Sequence, residues 1–239
     1  MNAPARLRYE SEFLKEGATV IQIERYMNTL TRRLLETFGS QLCYVGLQGS
    51  YLRGEAHEKS DIDVMLVLES LTPEKLDQYR QLLMDLGHYD LSCGFVCGKE
   101  ELRNWNALEI CHVLHTTRDW YGALADFVPE YTREDVTQYT KMSLNNLSHA
   151  LCHSYIHSGK EAALENLPGM YKGAFFILQS LHYLRSGEYI QTKHQLWQRL
   201  TGLDREILEG SMRPEDPVLC SEKAFRNLLE WCGMYCRSL

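Results

Sequence analysis

Hydrophobic positions fall into two regimes along the chain. Between residues 10 and 38, Phe13, Leu14, Val20, Ile21, Ile23, Met27, Leu30, Leu34, Leu35 and Phe38 recur at near-helical spacing, and Gly39-Ser40 closes the segment. Leu42 to Leu47 is a short apolar run rich in strand formers, stopping at Gln48-Gly49-Ser50. Ile62 to Leu68 is continuously apolar, as a strand covered on both faces must be. Pro73 opens a helix that runs to about Leu86. Tyr89 to Cys97 and Glu109 to His115 read as two further strands, with a turn near Arg118 to Gly122.

The period changes after Pro129. Thr132 followed by Asp135 marks a capped helix start. From there the pattern is helical over 133–158, 169–186, 192–203 and 221–236, interrupted at Gly159, Pro168-Gly169, Gly187 and Arg213-Pro214. The expectation is an α/β (α+β) domain with a mixed sheet over residues 1–130, then an all-helical bundle over 131–239.

Charge follows the same division. Residues 1–130 hold 13 basic and 20 acidic side chains, while 131–239 hold 12 of each, so the whole net charge of −7 lies in the first half. Neither half offers the basic track that a long nucleic acid requires. No apolar run approaches the roughly 20 residues of a membrane-spanning helix. Met1 to Glu12 lacks the apolar core of a signal peptide, so a cytoplasmic protein is expected. The eight cysteines then read as reduced and mostly buried thiols.

Candidate chemistry concentrates in Gly49-Ser50-Tyr51-Leu52-Arg53-Gly54 and Ser60-Asp61-Ile62-Asp63, with ten residues between Ser50 and Asp61. Positions i and i+2 of a strand share a face, so Asp61 and Asp63 present two carboxylates together. Such a pair needs a cation, and hard oxygen ligands suit Mg²⁺ completed by water and substrate phosphates. Gly49 lets backbone approach an anion, Ser50 lies at a helix start, and Arg53 is one turn on. A third carboxylate is expected on the neighbouring strand. Asp90 is the acidic residue inside the segment assigned to it, and three aspartates would hold two Mg²⁺ ions.

This order of Gly-Ser, ten residues, Asp-x-Asp and a later Asp resembles the nucleotidyltransferase superfamily with the DNA polymerase beta fold. Leu167-Pro168-Gly169-Met170, Ala174 to Leu178 and Tyr189-Ile190-Gln191-Thr192-Lys193 are similar to the helical substrate-binding domain of kanamycin nucleotidyltransferase-like proteins, the partner type also found with minimal nucleotidyltransferases. The resemblance implies that a nucleoside monophosphate, AMP from ATP, passes from an NTP to a hydroxyl-bearing acceptor, a small molecule or a protein, with release of pyrophosphate. It assigns metal binding and catalysis to Asp61, Asp63 and Asp90, and nucleotide binding to Gly49, Ser50 and Arg53. A homodimer is compatible with it. The alternative is an interaction protein of the toxin–antitoxin type with little turnover.

One departure stands out. Aminoglycoside enzymes of this family draw a general-base glutamate from the first long helix of the helical domain, whereas residues 136–160 here hold no Glu or Asp. His149, His153 and His157 share one face of that helix instead. A cleft-lining role as proton acceptor is one reading, and a packed or solvated face is the other. As a metal site the stripe lacks a third group.

Overall fold

The computed structural model describes residues 21–239, so Phe13, Leu14 and Val20 of the expected first helix lie outside the described residues. Helix α1 (Ile23–Phe38) turns Met27, Leu30 and Leu34 fully inward and stops at Gly39, whose φ is 52°. It leads into β1 (Leu42–Leu47), α2 (Gly49–Arg53), β2 (Ile62–Leu68), α3 (Pro73–Leu86) and β3 (Ser92–Gly98). Then come α4 (Lys99–Arg103), α5 (Ala107–His115) and β4 (Arg118–Tyr121). The strands form a mixed sheet in the order β3-β2-β1-β4, with β2 parallel to β3 and β1 antiparallel to both β2 and β4.

Alternation along β2 divides its side chains between two layers. Ile62, Val64, Leu66 and Leu68 pack with α1 and α3. Met65 and Val67 pack the other way, with Tyr44, Cys97, Leu102 and Leu124. Asp63 therefore belongs to the second layer, at the leading end of the strand.

Several expectations change. Glu109 to His115 is helix α5, not a strand, and Asn106 caps it by accepting from the Leu108 N–H. A short apolar run does not by itself separate buried helix from buried strand. The edge strand forms instead where a turn was expected, at Arg118–Tyr121. It is tied down by Tyr44 OH donating to Asp119 at 2.6 Å and Trp120 Nε1 donating to Asn28 at 2.9 Å. The strand expected from Tyr89 begins only at Ser92, because Gly87 (φ 92°) and His88 (φ 60°) turn the chain into a 3₁₀ segment, Tyr89–Leu91, first.

Thr132 and Asp135 form the expected reciprocal cap at the start of α6 (Arg133–His153), which continues through a π-helical turn, Ser154–Ser158. After α7 (Lys160–Glu165), the long α8 (Leu167–Ser186) packs Phe175, Leu178 and Leu181 among residues of the later helices. The helix expected over 192–203 is two, α9 (Lys193–Arg199) and α10 (Gly202–Met212), since Leu200 and Thr201 adopt extended backbone between them. In α11 (Glu222–Ser238), Leu228, Trp231 and Cys232 are fully buried. The thiols are less buried than expected: Cys97, Cys111 and Cys232 are buried, but Cys93, Cys152, Cys220 and Cys236 are exposed. No helix of the described residues is long and apolar enough to cross a membrane.

One polar group sits inside the helical core. Buried Asp204 accepts from Trp231 Nε1 at 2.8 Å, Tyr235 OH at 2.8 Å and Arg185 at 3.0 Å. Removing the carboxylate strands the buried indole and phenol donors. Asp204→Ala is expected to cost about 2–3 kcal/mol, read as a lower urea midpoint at unchanged m-value.

Candidate active site

The end of β1 is stitched to the start of β2. The Gln48 N–H donates to the Asp63 carbonyl at 2.8 Å, and the Gln48 side-chain amide donates to Thr117 at 2.8 Å. Gly49 follows at φ 70°, and a Cβ there would lie 1.8 Å from Asp63 Oδ2. Both the positive φ and the approach to a carboxylate oxygen demand glycine. Ser50 is the second residue of α2, which ends on Gly54 at φ 70°.

Asp61 is exposed just ahead of β2, and Asp63 is half-buried two residues later. Burial raises the Asp63 carboxyl above the usual range, the Cys93 thiol hydrogen bond opposes that, and the Asp61 charge adds to the rise. Two carboxylates with overlapping fields fit a divalent cation, which removes both penalties.

Asp90 does not join them. It lies exposed in the 3₁₀ segment before β3. The residue directly opposite Asp63 in the parallel register is Cys93, whose thiol contacts the Asp63 carboxylate. Among the described residues no group of three His, Cys, Asp or Glu side chains is arranged to hold a metal. The cause is local: the left-handed turn at Gly87-His88 shortens the strand and leaves Asp90 outside it.

Three cations cluster beside the site, and two of them, Arg53 and Lys172, bear on Asp63. Arg53 Nε donates to Glu55 at 2.8 Å, and the other Glu55 oxygen accepts the Lys193 backbone N–H at 2.8 Å. The Arg53 guanidinium and the Lys193 ammonium stand 5.8 Å and 5.5 Å from the centre of one ring, Phe175. Burial lowers the Lys193 pKa, with Glu55 opposing and Arg53 and Lys172 adding to the fall. Arg53 and Lys172 in turn favour the charged form of Asp63. Sequence reasoning missed Lys172 and Lys193 as site residues. The Thr192-Lys193 pair at a helix start was the available signal.

The segment carrying Lys193 is fastened to α5. His112 Nδ1 and Tyr189 OH are 2.7 Å apart, the His115 ring stacks on Tyr189 at 4.5 Å, and the Gln191 amide donates to the His115 carbonyl at 2.5 Å. Buried Gln179 donates to the Ile190 and Gln191 carbonyls at 2.8 and 3.0 Å. His149, His153 and His157 are exposed on α6 and its π turn, whereas the helical half bears on Asp63 through Lys172 and on Arg53 and Glu55 through Lys193.

Residues 31–138 match the model of the nucleotidyltransferase domain. The protein adenylyltransferase MntA of Thermococcus cleftensis is 33% identical over 28% of this chain and 71% of its own length. The chain belongs to the nucleotidyltransferase family. Gly49, Ser50, Arg53, Asp61 and Asp63 all fall within its nucleotidyltransferase domain. A bifunctional uridylyltransferase/uridylyl-removing enzyme of Vibrio atlanticus is 40% identical over 32% of this chain, which spans only 10% of that protein. The solved spectinomycin adenyltransferase of Enterococcus faecialis, crystallised with ATP and spectinomycin, shares the fold across 90% of this chain and 99% of its own, with a TM-score of 0.54 and 13% identity.

The buried fastening has a pH signature. Burial depresses the His112 pKa from 6.5 to about 4, with the Arg53 and His115 charges adding to the effect. His115 and His182 are shifted the same way by burial. Between those two values the unfolded chain binds the proton and the folded chain does not. Stability is therefore whole above pH 6.5 and falls as pH drops towards 4. Urea midpoints at about pH 7.5 and pH 5 should differ in the wild type and differ less in His112→Asn.

Proposed function

We propose that this nucleotidyltransferase moves AMP from ATP to a hydroxyl of a small molecule or protein and releases pyrophosphate. The observation that carries the reading is Gly49 wedged against Asp63, which sets a carboxylate pair within the fields of Arg53 and Lys172, with Lys193 beside Arg53. The fit to an adenylyl group is supported by the MntA relative, a protein adenylyltransferase. In this reading residues 1–130 hold the nucleotide, and the acceptor binds against residues 131–239.

Arg53 and the two lysines would take the β and γ phosphates, Ser50 would offer its backbone N–H and hydroxyl, and Gly49 would let the chain approach. Asp61 and Asp63 would hold Mg²⁺. When bound, the ion neutralises the carboxylate pair and the triphosphate and withdraws charge from the phosphorus under attack. The two-ion site expected from three aspartates is not carried forward, since Asp90 lies outside; two carboxylates fit one Mg²⁺ completed by water and phosphate. The acceptor oxygen forms its bond to the α-phosphorus, the bond to the bridging oxygen breaks, and pyrophosphate carries off the electron pair while the hydroxyl proton passes to solvent water. Arg53 and the lysines stabilise charge that grows on the departing phosphates, the dominant effect in transfers of this type.

Pyrophosphate release from each NTP, with Mg²⁺ and a panel of hydroxyl compounds and proteins, tests the reading. Asp61→Asn and Asp63→Asn are expected to lose about 10³-fold or more in turnover, and Lys193→Ala about tenfold in kcat/KM for the nucleotide. Asp90→Asn should stay within about twofold of wild type. Unchanged turnover in Asp63→Asn would refute the assignment.

A further inference from the structure

The histidine stripe of α6 is outside the nucleotide cleft. His149, His153 and His157 are all exposed, on consecutive turns. Their rings are neighbours: the centroids are 5.6 Å apart for His149–His153 and 4.6 Å apart for His153–His157. The first pair lies within regular α-helix and the second crosses into the π-helical turn Ser154–Ser158.

The spacing can be compared with what a metal needs. A divalent ion of the zinc type sits about 2.0–2.1 Å from each imidazole nitrogen. With both nitrogens on one ion at near right-angled to tetrahedral geometry, the ring centroids fall roughly 4.5–5 Å apart. His153–His157 already meets that figure, and His149–His153 lies beyond it. Neutral imidazole is a ligand for Zn²⁺, Ni²⁺ and Cu²⁺, and much less for Mg²⁺. The turn is also held in place: Tyr155 packs on Phe225 of α11 at 4.7 Å, and Lys160 pairs with Glu222 at 2.5 Å. The two ligands are thus presented on a fixed backbone, which reduces the ordering cost of chelation.

We infer that His153 and His157 form a two-histidine chelate for a zinc-, nickel- or copper-type divalent ion, at a surface site separate from the carboxylate pair. No third His, Cys, Asp or Glu of the described residues completes the shell, so water fills the remaining positions. Binding clamps the π turn in its present geometry. The inference stands on ring spacing and exposure and does not depend on the reaction assigned to the cleft.

Titration with Ni²⁺ by calorimetry, with Mg²⁺ in large excess to occupy Asp61 and Asp63, tests it. His153→Gln and His157→Gln should each weaken binding at least about tenfold, because either one removes the chelate, and His149→Gln should change it by less than about threefold. Circular dichroism checks that the variants keep their helix. On the wild type alone, paramagnetic Ni²⁺ should broaden the amide signals of residues 153–157 before those around Asp63. Wild-type affinity in His153→Gln, a loss equal or larger in His149→Gln, or broadening confined to other residues would each overturn the proposal.

Discussion

Gly49 and Asp63 occupy space that no side chain at position 49 could share, since a Cβ would lie 1.8 Å from the carboxylate oxygen. That contact sets the distance between the loop after β1 and the start of β2. The arrangement at this end of the sheet follows from it. The Gln48 N–H can reach the Asp63 carbonyl, α2 begins beside the strand, and Arg53 and Glu55 are carried to the border with the helical half. The strand interior supplies the rigidity. Ile62 and Val64 are buried in one layer and Met65 in the other, so β2 cannot shift by one residue without exchanging the side chains of two differently packed layers and carrying Asp63 into the one formed with α1 and α3.

The helical half meets the first half through α6 packed on α5 and through a short strap. Residues 189–193 are held from one side by His112, the His115 carbonyl and Gln179, and from the other by Glu55 on the Lys193 N–H. The strap brings a lysine over Phe175, where Arg53 also sits. Two cations near one aromatic ring repel each other, and the Glu55 charge, paired with Arg53 and acting on Lys193, offsets that. Buried neutral His112 serves the strap as a hydrogen-bonding group, and its depressed pKa is the thermodynamic consequence of that placement.

How much of this could be read from the residues varies with the physics involved. Leu42–Leu47, Ile62–Leu68 and the Thr132–Asp135 cap were legible because each rests on local pattern: burial on two faces, or a side chain bonding its own backbone. Ala107–His115 was not, since an apolar stretch of that length suits either a helix or a strand until its neighbours are known. Arg118–Tyr121 carries a strand's hydrogen bonds with mostly exposed side chains, so its apolar pattern is weak. In the site, the Gly49 to Asp63 spacing is local and was visible. The failure of Asp90 turned on the backbone sign at Gly87 and His88, which composition does not show. Lys172 and Lys193 come from a separate core more than a hundred residues away in the chain, and only tertiary packing brings Lys172 near Asp63 and Lys193 near Arg53 and Glu55.

The acidic surplus of the first half excludes a long nucleic acid but not a single nucleotide. At the cleft itself the balance is even: Asp61, Asp63 and Glu55 face Arg53, Lys172 and Lys193. A bare triphosphate would bring several negative charges into a balanced, half-buried space and gain little. A triphosphate arriving with its own divalent cation brings less net charge, and the cation finds the one point where two carboxylates already strain against each other. With Cys93 rather than a carboxylate opposite Asp63, that point has two charged ligands and not three. The ion's hold on the protein is correspondingly weaker without nucleotide, so in the proposed reaction metal and nucleotide would be held mainly together.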